Sequence, residues 1–342
     1  MPFLKNLARM LGSSKPDPAV YLAAFGKHPG WNDHIDDIGL DTDDLINIKR
    51  LLYLQGINQN IDGGAWDKLD PPQRLNAFRH DFLWQMTAGG GGGQPSSPVA
   101  GRLWSSVDGK GRDKYPMVLC ADTVELPDNF AAITALPFLA KTHERCAAAT
   151  DAQTVRKVID TDREALRAMI QPVPTQTSLH PSDIAKVAGS PDLAPSREGF
   201  HRIIYQIARG MSAYRPGAAN PAARAEKIRV PLCGLRPHEA ILFWLRFCRT
   251  LLSPNAPILL IAPEPQITRT EFNPDSTGWI DIIVGEPTAA DLFCIKAATH
   301  ALPLTSDIPY TLDPSFRAAI NHFVDACAAT PPGSPLPAWP AL

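Results

Sequence analysis

Apolar runs of strand length stand at both ends of this chain, and segments with helical spacing fill the space between and after them. Val20 to Gly26 reads as a first strand. Val99 to Val107 and Tyr115 to Val124 read as a hairpin joined by Asp108-Gly109-Lys110-Gly111-Arg112-Asp113-Lys114. Pro257 to Ala262 and Trp279 to Val284 are continuous apolar runs of the kind a sheet interior buries on both faces. Between them the apolar residues recur at helical intervals over Asp44 to Leu54, Gln73 to Met86, Glu164 to Ile170, Phe200 to Met211 and Pro237 to Leu252. Further helices are predicted near Thr288 to His300 and Pro314 to Ala328. Asp41 to Asp44 supply carboxylates at a helix start, where the backbone dipole favours them.

This pattern predicts an α+β fold, a mostly antiparallel sheet with helices packed on its faces. One domain is expected over residues 19–330, with a helical insertion at about 130–230, a short N-terminal segment at 1–18 and a Pro-rich tail at 331–342. A split into two domains near residue 160 is the alternative. Proline supports a loop-rich chain: 34 of 342 residues, against a usual share of about 5%. Gly89 to Gly93 cannot pack and reads as a flexible tip; no Lys-Ser/Thr follows to make it a phosphate loop.

Charge and cysteine usage narrow the setting. With 33 basic and 35 acidic side chains the formal net charge is −2, which gives no electrostatic footprint for nucleic acid. Phe3, Leu4, Leu7, Met10 and Leu11 recur at helical spacing, with Lys5 and Arg9 between them. They read as a short amphipathic helix docked on the body, with a membrane-surface or partner-binding helix over residues 3–11 as the alternative. No secretory signal is visible, and no apolar run of about 18 residues spans a bilayer. The six cysteines are scattered and sit mostly in apolar runs, so reduced thiols and a cytoplasmic location are expected.

Two segments concentrate chemistry. Gly26-Lys27-His28-Pro29-Gly30-Trp31-Asn32-Asp33-His34-Ile35-Asp36-Asp37 places two histidines and three aspartates within ten residues. Imidazole and carboxylate ligate zinc or iron, but no recognised ligand spacing is present. The favoured reading is an architectural or partner-facing turn: Gly26 and Gly30 relax the backbone, Pro29 stiffens it, and Trp31 is a contact residue. In the second segment, Lys110, Arg112 and Lys114 suit a phosphate or an acidic partner. The competing reading is a solvated turn in which Asp108 and Arg112 pair locally. No nucleophile elbow, zinc-protease or kinase motif occurs, and the remaining histidines stand singly. No catalytic residue, metal or cofactor is predicted.

Taken together, the two segments resemble the TagF (also ImpM) family, accessory proteins of bacterial type VI secretion systems. The matching positions are Gly26, Lys27, Pro29 and Asp33 in the first, then Ser106, Val107, Asp108, Gly111, Arg112, Tyr115 and Pro116 in the second. Tyr115 stands where the family usually carries an aromatic residue, whereas Gly30-Trp31-Asn32 departs from the family's Ser-Arg-Gly before the aspartate. The resemblance covers about residues 21–124. It implies a longin- or profilin-like sandwich without a catalytic centre. It also implies a post-translational repressor that holds the system's forkhead-associated scaffold protein inactive. Two alternatives stand beside this. One is an interaction domain of another bacterial assembly; the other is a metal- or phosphate-handling enzyme built on His28, Asp33, His34 and Arg112. Asp33 and Arg112 are the expected ion pair between the two turns, worth about 3–5 kcal/mol if buried.

Overall fold

A computed structural model describes residues 17–86, 98–171, 179–195, 197–218, 224–263, 278–288, 290–292 and 302–340. Its frame is a seven-stranded sheet in the order β1-β4-β3-β2-β6-β7-β5. The strands are β1 (Ala19–Gly26), β2 (His80–Gln85), β3 (Val99–Ser105), β4 (Pro116–Val124), β5 (Glu226–Pro231), β6 (Ile258–Pro263) and β7 (Trp279–Val284). Every neighbouring pair is antiparallel. The α+β class with an antiparallel sheet is therefore as expected.

Both faces of the sheet are covered, which is why its strands are apolar on both sides. Alternate residues of β1 divide between two cores: Val20, Leu22 and Ala24 face one, Ala23 and Phe25 the other. Over the second face lies α1 (Asp43–Ile48), continuing through a π-helical stretch, Lys49–Asn58, into α2 (Gln59–Asp62). The short α3 (Pro71–Asn76) follows. Thr42 starts α1 by accepting from the Leu45 amide at 3.3 Å, with Asp43 and Asp44 in the first turn.

The first face carries α4 (Leu136–Ala148), α5 (Ala152–Arg167), α6 (Pro181–Ala188), α7 (Glu198–Tyr205), α8 (Pro237–Leu251) and α9 (Pro314–Ala329). Leu136, Ile159 and Ile203 share one core with Leu22, Leu119 and Leu260 of the sheet. The helical middle of the chain is thus a layer on the sheet. In the tail, Trp339 stacks on Phe323 of α9 with ring centroids 3.9 Å apart.

Two expectations are corrected. Gln73 to Met86 is not one helix: α3 ends at Asn76 and residues 80–85 form β2. Strand β2 lies between β3 and β6 with all six residues buried, so it has no polar alternation to separate it from a helix. The edge strand β5 was not foreseen, because Glu226, Lys227 and Arg229 break its apolar pattern. Arg229 is instead paired across the sheet, both carboxylate oxygens of Asp281 accepting from it at 2.7 and 2.8 Å. The strand expected to end at Val107 ends at Ser105, and the one before it in the sheet begins at Pro116.

Among the described residues no helix is long and apolar enough to cross a membrane. Cys120, Cys146, Cys233, Cys248 and Cys327 are free and buried. The predicted N-terminal helix, the glycine tip and most of the helix predicted near 288–300 lie outside the described residues.

Candidate functional site

The two motifs meet where β1 leaves the sheet and β4 enters it. Gly26 ends β1 at φ +105°, and a Cβ there would stand 2.1 Å from the Pro116 carbonyl oxygen, so the position admits only glycine without a backbone shift. The Lys27 amide donates to that same carbonyl at 3.1 Å, and the Ile35 amide returns to Gly26 at 2.7 Å. These bonds turn residues 27–35 back across the end of the sheet.

On the other side, Asp108 organises the turn between β3 and β4. Its Oδ1 accepts from the Lys110 and Arg112 amides, each at 3.0 Å. Its Oδ2 accepts from Arg112 Nε at 2.6 Å and from Lys27 Nζ at 2.7 Å. Gly111, at φ +76°, lets the turn close so that its amide reaches the Asp108 carbonyl. The Lys27 and Asp108 side chains are only 3% and 0% exposed, so the motifs are joined by an ion pair taken out of water. Burial by itself would raise the Asp108 carboxyl. The hydrogen bonds from Lys27, Arg112 and Lys110 outweigh it and hold the group well below the usual carboxylate range. With both oxygens saturated, Asp108 is a structural anion with no lone pair placed for proton transfer.

This corrects the expected ion pair. Arg112 Nη2 does lie 3.1 Å from Asp33 Oδ1, but those side chains are 49% and 68% exposed. Water screens such a pair to roughly 0–1 kcal/mol. The buried link is Lys27–Asp108, and the local pairing of Asp108 with Arg112 occurs beside it. Arg112 also donates to the Asn32 carbonyl at 2.9 Å, and the Gly109 amide donates to Trp31 at 2.6 Å, tying turn to turn.

The histidines separate. His28 is buried and turned toward α4, its Nε2 2.8 Å from the Cys146 carbonyl while Nδ1 accepts from the Gly30 amide at 3.0 Å. Those partners fix the neutral tautomer with the proton on Nε2. Burial lowers its pKa, against the opposing pull of the Cys146 carbonyl and Asp151. His34 points the other way, to Asp33 Oδ1 at 3.1 Å and to the Tyr115 ring at 5.3 Å. Both nitrogens of His28 are thus committed to backbone, and His28, Asp33 and His34 do not converge. Among the described residues no set of three or more His, Cys, Asp or Glu side chains is placed to hold a metal ion. Nor do the basic residues of the second turn gather around an anion: Arg112 faces carboxylates, and Lys114 bonds Asp67 at 3.0 Å.

The surface of this junction presents exposed Pro29, Asn32, Asp33, Lys110 and Arg112, with half-buried Trp31 among them. The Trp31 indole donates to Asp36 at 3.3 Å, and Arg156 of α5 lies over its ring at 5.7 Å. Ser106 and Val107 lead out of β3 toward Arg74 and Trp66, on the far side of the turn. Tyr53, from the π-helical stretch, packs against Phe25, His34 and Tyr115, with ring centroids 5.6, 6.1 and 6.4 Å away. Sequence reading missed it, since no local signal ties a residue of that helix to either motif. The Tyr115 hydroxyl donates to Asp62 at 3.2 Å, and Lys27 lies 5.3 Å from its ring centroid.

No protein-family model matches the chain, and no curated protein does. Among solved structures it is similar to the crystal structure of PA0076 from Pseudomonas aeruginosa PAO1, at 12% identity and a TM-score of 0.38. The alignment covers 84% of this chain and 100% of that one, a likeness too loose to bear on function or partner.

Proposed function

We propose that this chain is a non-enzymatic cytoplasmic regulator or adaptor of a type VI-like secretion system. It acts by binding a scaffold protein, of forkhead-associated type, and holding it inactive. One observation carries the reading. The two motifs that resemble the TagF/ImpM proteins, 81 residues apart at Lys27 and Asp108, are locked together by a buried ion pair. Lys27 and Asp108 are turned onto each other below the surface, so their contact fixes how the two turns sit together. What that geometry holds in place is an outer surface of Trp31, Asp33 and Arg112, an aromatic and two charges suited to protein contact.

The test is affinity capture of the tagged chain from its native cells, with partners identified by mass spectrometry. Recovery of a forkhead-associated scaffold, lost on Trp31→Ala, supports the regulator. Recovery of an unrelated assembly alone discards the secretion role. Stoichiometric zinc or iron in the purified protein favours the metal-handling alternative instead.

A further inference from the structure

On the far side of the motif turn the surface opens into a recess of about 400 Å³ lined by Pro71, Arg74, Ser106, Val107 and Asp113, with buried Trp66 beneath. Ligand-binding clefts run to roughly 300–1,000 Å³, so this one has room for a compact group. Arg74, on α3, is held there from three sides. Its Nε donates to the Leu69 carbonyl at 3.1 Å, and its guanidinium lies 5.7 Å from the Trp66 ring centroid. Its own carbonyl accepts from Ser105 Oγ at 2.7 Å. Neither Nη has a hydrogen-bond or ion-pair partner among the described residues, and neither is shut away from solvent. The guanidinium plane is therefore fixed while its outer fork is unspent and within reach of an occupant of the recess.

The remaining lining says what completes that fork. A pre-positioned guanidinium with two outward donors takes a carboxylate or a phosphate in bidentate fashion. The half-buried Ser106 hydroxyl, with no partner of its own among the described residues, adds a donor to the same lining. Asp113 chooses between the two anions. Its exposed carboxylate also lines the recess, and it repels a phosphate dianion about twice as strongly as a single carboxylate. The rest is apolar: Pro71 is exposed, and Val107 is 38% exposed, a large apolar side chain the chain itself leaves uncovered. A carboxylate flanked by apolar atoms fits this set.

We infer that this recess receives an aspartate or glutamate side chain of the partner protein, with an apolar residue next to it in the partner's sequence packing on Val107 and Pro71. Arg74 donates to the carboxylate through its two Nη atoms, with the Ser106 hydroxyl beside it. Ser106 and Val107 run directly into Asp108, so the recess and the motif junction belong to one turn. The inference deepens the regulator reading and rests on it for the partner being a protein.

The test uses the full chain and N-acetyl-leucyl-glutamyl amide as the probe, followed by NMR, with N-acetyl-leucyl-glutaminyl amide as the neutral isostere. Saturable shifts centred on Val107 and the Arg74 Nε–H with the acidic probe, and about tenfold weaker binding of the neutral one, are expected. Arg74→Gln brings the two probes to equal affinity. Val107→Asp, at an exposed position, weakens the acidic probe about tenfold while the chain still unfolds cooperatively. No saturable shift, equal binding of the two probes by the parent, or a Val107→Asp chain that binds as the parent overturns the inference. Inorganic phosphate binding at the same residues more tightly than the acidic probe overturns it as well. Scaffold capture is read separately on the same variants. Capture lost with Trp31→Ala but kept in Arg74→Gln and Val107→Asp refutes this recess and leaves the regulator reading standing. Saturable binding of the acidic probe with no scaffold captured refutes that reading and keeps the recess as a carboxylate site.

Discussion

Lys27→Met removes one partner of the buried ion pair that joins the two motifs, and its cost can be worked from the surroundings. Lys27 Nζ lies 2.7 Å from Asp108 Oδ2, with side chains 3% and 0% exposed. Breaking such a pair from one side costs about 3–5 kcal/mol, because a buried charge is left uncompensated. Here Arg112 Nε stays 2.6 Å from the same oxygen, so Asp108 keeps a half-exposed counter-ion and the expected loss is about 3 kcal/mol. Asp108→Asn keeps an oxygen for the Lys110 and Arg112 amides but strands Lys27, whose next carboxylate, Asp33, is 4.0 Å away. It too should cost about 3 kcal/mol. The double variant buries no unpaired charge, so it should lose less than the sum by at least about 1–2 kcal/mol. Urea denaturation of the four proteins gives the cycle, and the singles should melt about 6 °C or more below the parent. A Lys27→Met chain within about 0.5 kcal/mol of the parent, or a strictly additive double variant, refutes the buried-pair account.

Other consequences are sharper in sign than in size. Asp33→Ala removes the exposed pairings with Arg112 and His34 and the 4.0 Å approach to Lys27, and should change stability by roughly 0–1 kcal/mol in denaturation, a far smaller effect than Lys27→Met. Gly26→Ala forces a Cβ onto the Pro116 carbonyl at φ +105° and should cost on the order of 3 kcal/mol, read as a lowered denaturation midpoint. Burial, with Arg229 adding to it and the Phe78 carbonyl and Asp81 opposing, pulls His80 down to about 4 from an unfolded value of 6.5. Its contribution is therefore full above pH 6.5 and lost as pH falls toward 4; His80→Phe should flatten the stability–pH slope there by up to about 1.4 kcal/mol per pH unit. Asp122 runs the other way: burial, with Asp44 adding to it and Thr42 opposing, pushes it up to about 6 from 3.8. It destabilises as pH rises through 6, so Asp122→Asn should raise the melting temperature at pH 8 and not at pH 3.5.

The parts of the fold legible in the sequence are those whose burial matches a simple period. β7 and α8 are continuous or helix-spaced apolar runs with clear stops, and they appear within a residue of where the pattern places them. β2 was illegible because Phe78 belongs to the turn after α3 and Phe82 to the strand, yet their spacing mimics one helix face. β5 was illegible because Arg229 is buried only through Asp281 on another strand and the Trp279 ring 3.4 Å away. The candidate site divides the same way. The residue types of both motifs pointed to a junction, and Gly26 and Asp108 form it. Which cation meets which carboxylate depends on burial, which a sequence does not carry. Hence Lys27, read as one motif residue among several, is the buried partner, and Arg112 is the exposed one.

The central claim is that the motif junction is a protein-binding platform. The direct measurement is isothermal titration of the purified chain with the purified forkhead-associated scaffold protein of the same cells. The account predicts saturable binding of the parent, and its loss in Trp31→Ala and Arg112→Ala chains that still unfold cooperatively. No binding by the folded parent, or binding that both substitutions leave unchanged, contradicts it.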